Sequence, residues 1–353
     1  MEWVRGDQVG RGSFATVNLA IPRKSFVQIP PLTVVKSSIS SNSASLKNEK
    51  QVLDRLGDCQ QVIRCFGDDH SFENGEELYN LILEYATGGS LADQLKYHGG
   101  RLSESDVRLY TKSILKGLGH IHAQGFVHCD LKLQNILLFD NGEIKIADFG
   151  LAKKTEEKQS KGESEFQWRG TPLYMSPESV KDNKYDHPAD IWALGCAVVE
   201  MVTGKPVWNL QPETNICSLL LRIGVGEELP DIPAELSEEA RDFLEKCFVK
   251  DPRNRWTAEK LLNHPFVADV NVSLKHADEL LTSPRSHFDF PEWVSTASTS
   301  IPSSPESEEW FDRKLDLFFD SLSSLCSPED RLRQLITDQT PNWSVSESWI
   351  SVR

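Results

Sequence analysis

The dipeptide Asn141-Gly142 lies between two short apolar runs, Asn135-Ile-Leu-Leu-Phe139 and Glu143-Ile-Lys-Ile-Ala-Asp148. Asn-Gly accepts the positive φ of a tight reversal, so the chain is constrained to fold back here as a β-hairpin. Counting outward from a two-residue turn pairs Asp140 with Glu143, Phe139 with Ile144 and, at the far end, Asn135 with Asp148. That register predicts an amide and a carboxylate facing each other across neighbouring strands. Both end polar motifs: Asn135 closes His128-Cys-Asp130-Leu-Lys132-Leu-Gln-Asn135, and Asp148 opens Asp148-Phe149-Gly150. Two protein oxygens, with phosphates and water supplying the rest, suit Mg²⁺, so Asn135 and Asp148 are the candidate metal ligands.

The surroundings predict an α+β fold. Leu78–Tyr85 reads as a strand. Ser103 caps a helix with an apolar stripe at Val107, Tyr110, Ile114, Leu118 and Ile121, stopped by Gly125. The stretch 190–203 is a helix apolar on nearly all sides, hence buried, and ends before Gly204. Strands come early and helices late, as in a small antiparallel β-rich lobe followed by a larger helical one.

Gly10-Arg-Gly12-Ser13-Phe-Ala-Thr-Val17 is a glycine-rich turn whose bare backbone lets N–H groups approach phosphate oxygens, with Gly10, Gly12, Ser13 and Val17 as candidate nucleotide contacts. By itself such a turn is commonly a plain reversal. A dinucleotide-binding site needs a helix to follow, whereas Thr16–Ala20 continues as a strand; no GxxxxGK[ST] occurs anywhere. Val34-Val35-Lys36 places a lysine at the end of an apolar strand, suited to hold phosphates if a carboxylate holds it in turn. Between Lys36 and Asp54 the only acidic residue is Glu49, on a helical stretch, which makes it the partner. In the loop before the hairpin, Asp130 is placed to accept or orient a hydroxyl proton and Lys132 to neutralise charge on a transferring phosphoryl group.

Charge limits the partners: 53 acidic against 38 basic side chains, a net of −15, disfavours nucleic acid and anionic membranes. The seven cysteines are dispersed without a CxxC pair and read as free thiols. The first ten residues lack the apolar core of a signal peptide, and the most apolar stretch, Ile191–Val202, is too short for a membrane span. Cytoplasm or nucleus is the expected location. After residue 267 the character changes to Ser, Pro and acidic residues, with 15 acidic and seven basic side chains from Ala268 to Arg353. Two regions are therefore expected: a domain over 3–267, its lobes dividing near 85, and a largely disordered tail over 268–353. Within the tail, Phe311, Leu315, Phe318, Phe319 and Leu322 have helical spacing, a candidate surface for protein partners beside Ser-Pro sites at 283, 304 and 327.

Together these motifs resemble the eukaryotic protein kinases over about three quarters of the chain. The resemblance extends to Gly170-Thr171-Pro-Leu-Tyr-Met-Ser-Pro-Glu178, to Asp190-Ile-Trp-Ala-Leu-Gly195 and to Arg255. It implies a two-lobed kinase fold, ATP and Mg²⁺ as cofactors, and structural roles for His128 and Phe149. It also implies a buried Glu178–Arg255 ion pair, Asp190 bracing the catalytic loop, and Leu83 at the adenine pocket with Glu84 and Ala86 on the hinge. Lys132 and Thr171 match the serine/threonine pattern. The wording of GTPxYMxPE and LEYATGGSL is similar to mitogen-activated protein (MAP) kinase kinase kinases, most of all a compact plant group. Such enzymes phosphorylate MAP kinase kinases in stress or hormone signalling. The alternatives are a serine/threonine kinase outside that cascade and a kinase-fold scaffold of little activity. Two positions depart from the pattern: Trp256 replaces a usual Pro, where packing is expected, and Cys129 stands where most relatives carry the Arg that grips an activation-loop phosphate. Without that cation, phosphorylation of Thr155, Ser160 or Ser164 lacks its usual partner. Phosphatase treatment of the purified protein is expected to leave its turnover largely intact; abolished turnover would contradict this.

Overall fold

A computed structural model describes residues 3–12, 15–23, 32–155, 168–208 and 215–268. Ser13, Ser160, Ser164 and the tail beyond 268, with its apolar 311–322 segment and Ser-Pro sites, lie outside the described residues.

The first half is built on strands β1 (Trp3–Arg11), β2 (Thr16–Pro22), β3 (Thr33–Ile39), β4 (Cys65–Glu73) and β5 (Glu76–Glu84), with helix α1 (Ala44–Leu56) between β3 and β4. The strands form one antiparallel sheet in the order β1-β2-β3-β5-β4. Alternation along β3 and β5 sorts the faces. Val34, Tyr79, Leu81 and Leu83 join the main core with Leu46, Val52, Leu53 and Leu56 of α1, while Val35 and Ile82 pack outside with Trp3 and Ala20. Lys36 is not at the end of its strand. β3 runs on to Ile39 because β5 keeps pairing with it as far as Leu78, and Lys36 sits mid-strand between Val17 and Leu81.

Helices dominate the rest: α2 (Leu91–Tyr97), α3 (Glu104–Ala123), then β6 (Phe126–Val127), β7 (Ile136–Leu138), β8 (Ile144–Ile146), β9 (Lys153–Lys154), and α4 (Pro177–Asp182), α5 (His187–Thr203), α6 (Ile216–Gly224), α7 (Glu238–Cys247), α8 (Ala258–Leu262) and α9 (Pro265–Ala268). In α3 the Ser103 hydroxyl caps the helix by accepting from Asp106 N at 3.2 Å. Its stripe of Val107, Ile114, Leu118 and Ile121 is fully buried, with Tyr110 at the edge. α5 is the buried central helix and stops at Gly204, whose φ of +71° and closeness to Gly100 admit no side chain: a Cβ there would lie 1.8 Å from the Gly100 carbonyl oxygen. Among the described residues no helix is long and apolar enough to cross a membrane.

The hairpin forms, but its register differs from the sequence expectation by one residue. Phe139 N donates to Glu143 O at 2.9 Å, Leu138 pairs with Ile144, and Ala147 N donates to Asn135 O at 2.9 Å. The reversal therefore takes three residues, Asp140-Asn141-Gly142, closed by Gly142 in the left-handed conformation at φ +76°. Asn135 pairs with Ala147, not Asp148. A one-residue slip normally turns a side chain to the other face. Asp148 lies just beyond the ladder, however, and its own φ of +64° redirects it.

The two halves are joined where the 57–64 loop lies along β8: Ile63 N donates to Ile146 O and Ile146 N to Gln61 O, both at 2.9 Å. Deep in the helical half, Arg255 forms a two-pronged ion pair with Glu178 at 2.6 and 3.0 Å, and its guanidinium also donates to Val249 O and Pro188 O. The Arg255 side chain is 0% exposed, so loss of the carboxylate would leave a buried charge without its anion. Glu178→Ala is expected to lower the unfolding free energy by about 3–5 kcal/mol, read from urea denaturation.

Candidate active site

Lys36 projects from β3 toward α1 and the loop after β8. Its ammonium is 2.7 Å from Glu49 Oε2 and 2.9 Å from Asp148 Oδ1, two carboxylates brought from different elements. Burial pushes the Lys36 pKa down, but the attraction of Glu49 and Asp148 outweighs it and holds the pKa above the ordinary lysine value. For Asp148, burial alone would raise the carboxyl; the neighbouring Lys36 charge wins and lowers it. Both groups therefore stay ionised through neutral pH. Glu49 also accepts from Phe149 N at 3.3 Å through its other oxygen. Phe149 is fully buried, with its ring edge-on to His128 at 4.9 Å.

A second cluster sits on the loop between β6 and β7. Asp130 Oδ1 accepts from Thr171 N and Thr171 Oγ1 at 2.9 and 2.8 Å; its Oδ2 lies 3.2 Å from both Lys132 Nζ and Asn135 Nδ2. Lys132 Nζ donates to Thr171 Oγ1 at 2.9 Å. One carboxylate is thus aimed by a hydroxyl, an ammonium and two amides, which fixes its direction while leaving it partly accessible. His128 is pinned at both ring nitrogens: Nε2 is 3.0 Å from Ala147 O, and Nδ1 accepts from Asp130 N at 3.3 Å. That pattern requires the neutral ring protonated on Nε2.

Asp190, at the start of α5, accepts from His128 N at 2.9 Å and Cys129 N at 3.0 Å, and His122 Nε2 lies 2.9 Å from its Oδ2. Burial would raise its carboxyl, but the His122 side chain, through its hydrogen bond, and the His128 backbone N–H hold it below the usual carboxylate range. These bonds compensate an uncommon backbone, since Cys129 has φ +67°. A Cβ on Gly170 would lie 2.2 Å from Cys129 O, so only glycine lets the 170–171 segment close over the loop. Cys129 is half-buried, and its thiol pKa is pushed well up, by burial and then by Asp190, which disfavours the reactive thiolate. The six described cysteines are all free.

Other candidates fall into place around these clusters. Gly10, Gly12 and Val17 frame the β1–β2 turn, where Gly12 N donates to Ala15 O at 2.8 Å. Leu83 is buried at the end of β5. The Glu84 side chain is committed elsewhere, to Lys145 at 2.7 and 2.8 Å and to Arg64 N at 2.7 Å, so only its backbone can serve a hinge. Ala86 follows in the connection to α2. Trp256 packs against the His264 ring and beneath Lys246. His122 and Lys145 were not singled out by the sequence; their partners lie 68 and 61 residues away, and no local pattern marks them.

For a divalent cation, Asn135 Oδ1 and Asp148 Oδ2 have no donor among the described residues, whereas Asn135 Nδ2 and Asp148 Oδ1 are engaged. Hard oxygens left free in this way fit Mg²⁺. Among the described residues no cluster of three or more His, Cys, Asp or Glu could hold a metal, so the remaining ligands must come from elsewhere.

A lysine held under a five-stranded sheet by a helix carboxylate, with a braced aspartate on the loop below, defines a phosphotransferase site between two lobes. The chain belongs to the protein kinase family: the protein kinase domain profile matches residues 3–267. Among curated relatives it is 50% identical to "Mitogen-activated protein kinase kinase kinase 20" of Arabidopsis thaliana over the full length of both chains. It is 38% identical to "Mitogen-activated protein kinase kinase kinase 18" of the same plant, over 100% of this chain and 99% of that one. To "Mitogen-activated protein kinase kinase kinase 17" it is 44% identical, over 76% and 70% respectively.

Asp190→Asn puts an amide donor against a backbone N–H. Stability is expected to fall by about 1.5–3 kcal/mol, and kcat to fall more than the ATP KM rises, measured by denaturation and steady-state kinetics.

Proposed function

We propose that this protein transfers the γ-phosphate of ATP to serine or threonine hydroxyls of MAP kinase kinases, in a stress or hormone signalling cascade. The observation that carries the reading is the Asp130–Thr171–Lys132 triangle set below the Lys36–Asp148 pair. Asp130 receives the acceptor hydroxyl and orients its oxygen in line with the phosphorus. Lys132, already beside Asp130, spreads its charge over the transferring group and steadies it through Thr171. Lys36 takes two phosphate oxygens of the nucleotide, and the β1–β2 turn covers them with backbone N–H groups. Mg²⁺, when bound, neutralises phosphate charge; Asn135 and Asp148 would hold it. The full-length similarity to a MAP kinase kinase kinase supports the choice of substrate class.

The test is incubation with a panel of inactive MAP kinase kinases, reading activation-loop phosphorylation beside Lys36→Met and Asp130→Asn. The wild type is expected to phosphorylate at least one panel member and both variants to lose at least about 100-fold in rate. Turnover on a generic protein without any on the panel would place the enzyme outside this cascade. Absence of any turnover would favour the scaffold reading.

A further inference from the structure

The residue before Glu49 makes contacts that no catalytic motif accounts for. Asn48 Nδ2 lies 2.8 Å from Ala152 O, 3.1 Å from Gly150 O and 3.3 Å from Phe149 O. An amide nitrogen has two hydrogens to share among these three carbonyls. No other donor among the described residues meets the Gly150 or Ala152 carbonyl. On the next residue of the same helix, Glu49 Oε1 accepts from Phe149 N. Adjacent side chains of α1 thus grip the 149–152 stretch by both of its polar groups, donating to its carbonyls and accepting from its amide. The approach is close: a Cβ on Gly150 would lie 2.1 Å from Ser45 Oγ, one turn earlier on α1.

We propose that Asn48 is a positioning residue that fastens the segment after Asp148 to α1, so that the Lys36–Glu49 contact and the Asp148 carboxylate are set in place as one unit. A shift of α1 that drew Glu49 away from Lys36 would also pull Asn48 off three carbonyls. A change at Asp148 would in turn release α1. Asn48 contacts none of the reacting groups, so its effect reaches the chemistry only through Asp148 and Glu49. The kinetic consequence rests on the kinase reading above.

Substitution separates this role from simple packing. Asp has the shape of Asn but no donor at neutral pH, and it sets a negative charge against three carbonyl oxygens; Ala removes the donor and adds no repulsion. With myelin basic protein as a generic acceptor, Asn48→Asp is expected to lower kcat at least about tenfold and Asn48→Ala about threefold, with the ATP KM within about twofold of wild type. A packing role predicts the reverse order, because Asp fills the site and Ala leaves it empty. Amide hydrogen exchange of residues 149–153 supplies a readout independent of turnover, and is expected to be faster in both variants than in wild type. Wild-type kcat and exchange in Asn48→Asp, or Asn48→Ala the more damaging of the two, would overturn the proposal. A wild type without turnover would overturn the kinase reading, while the exchange comparison would still decide the role of Asn48.

Discussion

The ammonium of Lys36, closed between Glu49 and Asp148, ties together three elements that share no covalent neighbourhood: the middle strand of the sheet, the helix packed on its inner face, and the loop leaving the hairpin. Burial works against a lone ammonium there, and the two carboxylates reverse that effect. The lysine is what lets two carboxylates share one place: without Lys36, the buried Glu49 would face Asp148 with no cation between them. A lysine that remains charged and lightly exposed at the cleft can then meet phosphate oxygens.

The catalytic loop rests on a different principle, the satisfaction of backbone groups. Asp190 draws two successive amides onto one carboxylate and so holds Cys129 in a left-handed conformation. His128 spans from the Asp130 amide to the Ala147 carbonyl and thereby joins the loop to the end of β8. What position 129 gives to this frame is its N–H, its carbonyl and its φ. A thiol at that point leaves the frame standing and brings no cation of its own. Charges of Arg169 and Lys153 still reach the Cys129 thiol, so the neighbourhood keeps positive groups.

Local apolar patterning made the large elements legible. The stripe of α3 repeats at the helical period, while α5 is apolar on nearly all sides and β5 is buried without a break from Tyr79 to Leu83. The Lys36–Glu49 partnership was also accessible, since no other acidic side chain lies on the intervening stretch. The hairpin was visible as a reversal but not in its register. Asn141-Gly142 is compatible with a two-residue or a three-residue loop, and only the pairing of Phe139 with Glu143 decides between them.

A β-rich lobe followed by a helical one was readable from the chain alone, and so was the choice of Lys36, Asp130, Lys132, Asn135 and Asp148 as candidates, because spacing and turn residues are local. How these side chains are aimed depends on packing. Asp148 turns toward Lys36 through its own φ of +64°, Asn48 meets carbonyls about a hundred residues further on, and His122 meets Asp190 across 68 positions. Such contacts depend on the packing of α1 against the sheet and of α3 against α5, and hydrogen bonds between distant segments leave no period in the chain that makes them.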